Sequence, residues 1–237
     1  MKLVADLHIH TVSSGHAYST IEEYVAQAKK LRLKGIAITD HGPAMPGGPH
    51  WYHFSNMRMI PDKIDGIRIY RGIESNIVDA NGKIDLHDND LAQLDIVMVA
   101  MHPRTGYDSL GEEGNTGVLA KALENPHINV IAHPGNPKYP INVEQTVAMA
   151  KEKKVAIEVN NSSFTSRVGS WDRCLQFANE VKRQDWVVVI GSDSHISMML
   201  GGFENALKLI KEAGLSEKHV INTSLAKINK YLLKRDV

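Results

Sequence analysis

Short apolar runs alternate along this chain with longer amphipathic segments. Residues 3–8, 35–39, 67–73, 94–101, 129–132, 155–159 and 186–190 are rich in Val, Ile, Leu and Ala. They are too short for helices and read as strands. Residues 20–33, 116–124, 142–153 and 170–183 carry apolar positions at helical spacing, and two further such segments, 204–213 and 224–234, close the chain. Thr20 with Glu23 three residues on forms a capping-box signature, lysines crowd that helix's end, and Asn142 caps another helix. Strand and helix in alternation predict βα units around a parallel sheet, with seven strands. A chain of 237 residues that is 43% hydrophobic, without repeat or linker, predicts one domain over residues 1–237. Residues 42–56, rich in Pro, Gly and bulky aromatics, read as a long loop over one end of the fold, a candidate lid.

The chemistry gathers where the strands end. The first run continues as Asp6-Leu7-His8-Ile9-His10, and a period of two places Asp6, His8 and His10 on one face. Two imidazoles on one rigid face suit one divalent ion. Asp40 and His41 follow the second strand, Glu74 the third, His102 the fourth, His133 the fifth, and Asp193 and His195 the seventh. In closed α/β barrels, reactive groups collect on the loops at the carboxyl ends of the strands. The candidate ligands are His8, His10, His16, His41, Glu74, His102, His133, Asp193 and His195. Seven imidazoles and two carboxylates are too many for one ion and suit two or three, with a bridging carboxylate. Such a donor set favours zinc, manganese or iron over calcium or magnesium. The lone Cys174, inside a predicted helix, argues against a thiolate site.

Composition narrows the setting. One cysteine cannot form an intrachain disulfide and fits a reducing cytoplasm. The 27 basic and 27 acidic residues balance, which gives no nucleic-acid tail and no membrane-surface patch. The N-terminus lacks the apolar core of a signal peptide, and the longest apolar runs, 96–101 and 186–190, are far too short to span a bilayer. A cytoplasmic protein without a nucleic-acid or membrane partner is expected. Lys29-Lys30-Leu31-Arg32 reads as the cationic end of a helix, and Met198-Met199-Leu200 as packing or an oligomer contact, so a homo-oligomer stays open.

The motifs Asp6-Leu7-His8-Ile9-His10-Thr11, Thr39-Asp40-His41, Gly72-Ile73-Glu74, His133-Pro134-Gly135-Asn136-Pro137 and Gly191-Ser192-Asp193-Ser194-His195 resemble those of the polymerase and histidinol phosphatase (PHP) family, above all its small stand-alone bacterial members. The resemblance implies a distorted seven-stranded (β/α)7 barrel, TIM-like, with a trinuclear metal centre at the strand ends, usually zinc. Carried over by motif position, His8, His10, Glu74 and Asp193 hold one ion, His16, His41 and His195 a second, and Glu74, His102 and His133 the third. His102-Pro103-Arg104 is the least regular match. The function then expected is a metal-dependent phosphoric monoester hydrolase acting on a small phosphorylated metabolite. Hydroxide generated between the ions attacks the phosphoryl group, and Asp193 or a neighbouring His manages the proton. The alternative within the family is a phosphodiesterase or exonuclease using the same centre. An amidohydrolase-like activity would want a metal-bridging lysine, which the strand ends lack. Arg167 and Lys138 lie on the correct side to bind a phosphorylated substrate. Asp6 and Asp40 read as orienting groups and Glu158 as a paired barrel-interior acid. His50 and His53 read as loop residues or substrate contacts, and His87, His127 and His219 as surface residues.

Overall fold

A computed structural model describes residues 1–233 of the chain. Its strands are β1 (Ala5–Ile9), β2 (Gly35–Ile38), a two-residue β3 (Lys63–Ile64), β4 (Ile67–Asn76), β5 (Ile96–Ala100), β6 (Val130–Ile131), β7 (Ala156–Asn160) and β8 (Val188–Gly191). All but β3 are parallel and pair in chain order, β1-β2-β4-β5-β6-β7-β8. The ends of this sheet meet: His10 N–H donates to the Ser194 carbonyl at 2.8 Å and Asp193 N–H to the His8 carbonyl at 2.9 Å. The result is a nearly closed, TIM-like barrel of seven parallel strands, as the sequence pattern predicts. The extra strand β3 turns back onto β4 through Asp65-Gly66, both at positive φ (49° and 85°). Asp-Gly is the dipeptide that a two-residue hairpin turn with φ positive at both positions favours.

The helices are α1 (Ile21–Leu31), α2 (Trp51–Asn56), α3 (Asp88–Leu91), α4 (Gly111–Ala122), α5 (Val143–Glu152), α6 (Ser163–Ser166), α7 (Ser170–Arg183), α8 (Glu204–Glu212) and α9 (Leu225–Leu232). The capping box at Thr20 and Glu23 and the Asn142 cap are both formed. Helix α4 begins five residues before the predicted start, because glycines at 111, 114 and 117 dilute the apolar spacing that Val118, Leu119 and Ala122 carry. The predicted loop over 42–56 contains α2, whose Phe54 is fully buried. The last residue of the predicted helix over 224–234, Lys234, lies outside the described residues. None of the described helices is long and apolar enough to cross a membrane.

Two apolar clusters separate the inside of the barrel from its outer layer. Ala5, Leu7, Ala37, Tyr70, Met98, Val130, Ala156 and Val189 meet one another inside, closed at the amino end of the strands by Ile221, Ile228 and Leu232. Ile9, Ile36, Ile69, Ile73, Val97, Ile131, Ile157 and Ile190 face the helices. Strand β1 breaks its own alternation. Ala5 and Leu7 lie inside, Ile9 outside, and the register with β2 shifts between Asp6 and Ile9. This irregularity turns His8 and His10 inward while Asp6 stays on the outer face. The expected common face of Asp6, His8 and His10 is therefore corrected: Asp6 accepts from the backbone N–H of Ser192 at 3.1 Å and of Gly201 at 2.9 Å.

Candidate metal centre

Strand parity delivers the remaining donors to the same rim. On β4, Tyr70 faces inward, so Glu74 and Asn76, four and six residues on, do too. On β5 the inward series Ile96, Met98, Ala100 leads to His102. His133 follows the inward Ala132, and its backbone takes φ +32°, while Asp193 takes φ +56°. Positive φ at a non-glycine residue costs about 1–2 kcal/mol and persists where the surroundings over-determine it. Here His133 N–H is held by Glu158 at 2.7 Å and Asp193 N–H by the His8 carbonyl at 2.9 Å.

At the rim the donor atoms converge. His8 Nε2 lies 3.0 Å from His10 Nε2, 3.5 Å from Glu74 Oε2 and 3.7 Å from Asp193 Oδ1. His10 Nε2 lies 3.6 Å from Glu74 Oε2 and 3.2 Å from Asp193 Oδ1. A tetrahedral ion with donors at about 2.0–2.1 Å sets those donors about 3.3 Å apart, and these five separations bracket that value. Glu74 turns its other oxygen to a second group: Oε1 lies 2.7 Å from His133 Nε2 and 3.5 Å from His102 Nε2, which are 3.2 Å apart. His41 Nδ1 lies 2.8 Å from Glu74 Oε2. His41 also groups with His10 and His195 at metal-ligand separations. The His16 ring stands 4.9 Å from that of His41 and 5.1 Å from that of His195, at the more exposed side of the cleft.

In four of the rings, the hydrogen bond made by the second nitrogen indicates the tautomer. His8 Nδ1 lies 2.7 Å from Glu158 Oε1, and a carboxylate only accepts, so Nδ1 carries the proton. His102 Nδ1 donates to Asn76 Oδ1 at 2.8 Å, because Asn76 Nδ2 already donates to Asp85. His10 Nδ1 meets Ser14 Oγ at 3.3 Å, whose own hydrogen goes to Asp40 at 2.6 Å. His195 Nδ1 donates to the Asp193 carbonyl at 3.0 Å. The Nε2 atoms of His8 and His10 thus face one another and the carboxylates. Two imidazole nitrogens and two carboxylates packed this closely call for a proton or a metal cation among them. His41 Nδ1 and Glu74 Oε2 are fully buried and find no hydrogen bond of acceptable geometry among the described residues, as expected of atoms whose partner is a cation. The donor set fits divalent metal ions.

The electrostatics agree. Burial pushes the Glu74 carboxyl up, but His102, His8 and His41 outweigh it and hold it well below the usual range. For Asp193 the same burial is outweighed by His8, His10 and Arg167. Both stay ionised in a buried site. Burial, reinforced by His41, lowers His10 to about 3 and keeps it neutral. His8 is lifted despite its burial by Glu158, Glu74 and Asp193, a sign of how strongly this pocket favours positive charge.

A family model described as the PHP domain matches residues 6–162, two-thirds of the chain, and spans the strands that carry most of these donors. The chain belongs to the PHP domain family. A probable phosphatase of Thermoanaerobacter sp. (strain X514) is 46% identical over 99% of this chain and 96% of its own length. A probable phosphatase of Acetivibrio thermocellus is 43% identical over 99% and 97%. In fold, this PHP domain resembles the histidinol phosphate phosphatase of Lactococcus lactis subsp. lactis, solved with zinc, L-histidinol and phosphate. The TM-score is 0.63 at 18% identity, over 90% of this chain and 94% of that one.

Around the PHP-domain donors the structure sorts the other candidates. Arg167 reaches the site: its Nη1 and Nη2 each lie 3.3 Å from Asp193 Oδ2. Lys138 does not. It follows a tight turn held by Asn136, its side chain is exposed, and it is not among the residues lining the cleft. Asp40 is an orienting group, accepting from Thr11 N–H, Thr11 Oγ1 and Ser14 Oγ. His53 reaches to 3.5 Å from Asp40, tying α2 to this network, while His50 caps α2. His87 is exposed and His127 half-buried, but His219 is buried, where its Nδ1 accepts from Ser216 N–H at 3.1 Å. Sequence reasoning missed Ser14, Asn76, Asp85 and Asn160. Asn76 was findable: it shares Glu74's face once β4 is carried past residue 73.

Proposed function

We propose that the protein is a metal-dependent phosphomonoesterase for a small phosphorylated metabolite, with three divalent ions, zinc foremost, in this cleft. One observation carries the reading: donors on or just past β1, β4, β5, β6 and β8 converge into two groups, with Glu74 dividing its two oxygens between them. The family and the names of the relatives support phosphoester hydrolysis. The ligand sets proposed are His8, His10, Glu74 and Asp193; Glu74, His102 and His133; and His16, His41 and His195. When bound, divalent ions acidify water and neutralise phosphoryl oxygens.

The chain's own residues supply the rest. Asp193 divides its carboxylate: Oδ1 faces His8 and His10, while Oδ2 is held by Arg167 and by Asn160 Nδ2 at 3.2 Å. Arg167 thereby orients Asp193 and still presents guanidinium N–H groups to the cleft, where a phosphoryl oxygen would take them. The cleft holds about 450 Å³, room for one small ester. Chelation should abolish hydrolysis of p-nitrophenyl phosphate and zinc or manganese restore it, with metal content followed by mass spectrometry. The bis-ester should be a poor substrate. Arg167→Met should raise KM for a phosphomonoester severalfold. Full activity of metal-free protein, or preference for the bis-ester, would overturn the reading.

A further inference from the structure

The metal ligands form the floor of the cleft, and its mouth is built differently. Met45 comes from the 42–56 segment, Pro103 follows β5, and Met199 follows β8, so three separate loops bring apolar groups to one opening. Met199 is 51% exposed, and beside it Met198 is 76% exposed. On the other side Ser162 and Ser166 offer hydroxyls, and Arg167 the cation. Val168, next to Arg167, is 88% exposed. Lone exposed apolar residues are ordinary. Met45, Pro103 and Met199 line a common cleft, and methionine is the side chain that best adapts to apolar ligands of varied shape.

What the mouth lacks among the described residues matters equally. Asp193 is the one carboxylate in the cleft lining, and both of its oxygens are engaged, one toward His8 and His10 and one by Arg167 and Asn160. An ammonium group on the leaving alcohol would find imidazoles, a guanidinium and thioethers there, and no acid to pair with. Leaving it unpaired in a partly desolvated cleft costs binding. Selection of this kind works by withholding a partner from the wrong substrate as well as by contacting the right one.

We infer that the preferred substrate is a monoester of an alcohol with an apolar face and no ammonium group, and that esters carrying an ammonium group are rejected. This rests on the phosphomonoesterase reading. The reaction is ester plus water to free alcohol plus inorganic phosphate: the P–O bond to the alcohol breaks, the water oxygen bonds to phosphorus, and a water proton ends on the alcohol oxygen. The test compares 3-phenylpropyl phosphate with 3-aminopropyl phosphate on metal-loaded protein, and measures by calorimetry the binding of the matching phosphonates, which cannot be hydrolysed. The phenylpropyl compounds should win at least tenfold in kcat/KM and in Kd. Met199→Glu, a change at an exposed position, should raise kcat/KM for the aminopropyl ester at least fivefold and narrow the gap. Equal handling of the two esters, a preference for the amine, or an unaltered ratio in Met199→Glu overturns the inference and leaves phosphatase action standing. Failure to hydrolyse either ester or p-nitrophenyl phosphate overturns both.

Discussion

Glu158 touches no donor group of the cleft floor as a ligand would, yet it orders two of them. Its Oε1 takes the Nδ1 proton of His8 and its Oε2 the backbone N–H of His133, each at 2.7 Å. Gly191 makes room for this, since a Cβ there would stand 2.4 Å from Glu158 Oε1 and 2.6 Å from His8 Cβ. Replacing Glu158 with Gln keeps the shape but gives one arm only N–H donors, so either His8 or His133 N–H meets a donor. Partners of this kind are worth about 10–100-fold in metal affinity. Glu158→Gln should lose that much, measured by competition against a chromophoric chelator, and undiminished affinity would deny Glu158 the role. The candidate donors stood out because His, Glu and Asp at strand ends are conspicuous. Their supports did not: Ser14, Asn76 and Asn160 are uncharged and look like any strand or loop residue until register is known. Asp6 was misplaced for a related reason, since a local register shift leaves no mark in a two-residue period.

At the level of elements, βα alternation carried the barrel, and what it hid were short pieces held by single side chains. Asp85 is one such fastener. It accepts from Ala44 N–H at 2.9 Å, Ser75 Oγ at 2.7 Å, Asn76 N–H at 2.8 Å and Asn76 Nδ2 at 2.6 Å. One carboxylate thereby docks the 42–56 segment on β4 and, through Asn76, aims His102. It cannot be read from sequence because its partners come from two separate stretches, at residue 44 and at residues 75–76. Asp85→Ala leaves several buried donors unsatisfied, at about 1–3 kcal/mol for each that finds no water. The variant should lose several degrees in Tm, become sensitive to proteolysis within residues 42–50, and release a metal ion more readily. If Tm falls while the segment stays protected, the docking role is wrong. The same segment supplies Met45 to the mouth, so loosening it should also raise KM for an apolar ester.

For the molecule as a whole, the 27 acidic and 27 basic residues balance, and stability at alkaline pH turns on a few buried groups. Cys174 is buried on α7 against Gly135, and burial pushes its thiol up to about 12. An unfolded chain would titrate it near 8.5. Below that value both states hold the proton and the full stability is present. Between about 8.5 and 12 the unfolded chain has lost a proton that the folded one keeps, so unfolding is favoured by about 1.4 kcal/mol per pH unit. Burial raises Tyr24 as well, and its hydroxyl lies 2.9 Å from both the His10 and Ser194 carbonyls at the barrel's closing seam. Tyrosine adds to the decline only above pH 10, its ordinary value. Melting temperatures taken from pH 8 to 11 should therefore fall from about pH 9 onward. Cys174→Ala should start lower at pH 8 for want of packing, yet fall less between pH 9 and 10. The native thiol should resist Ellman's reagent at pH 8, because the thiolate is the reacting form. Parallel declines in the two proteins would show that another group governs the alkaline limit.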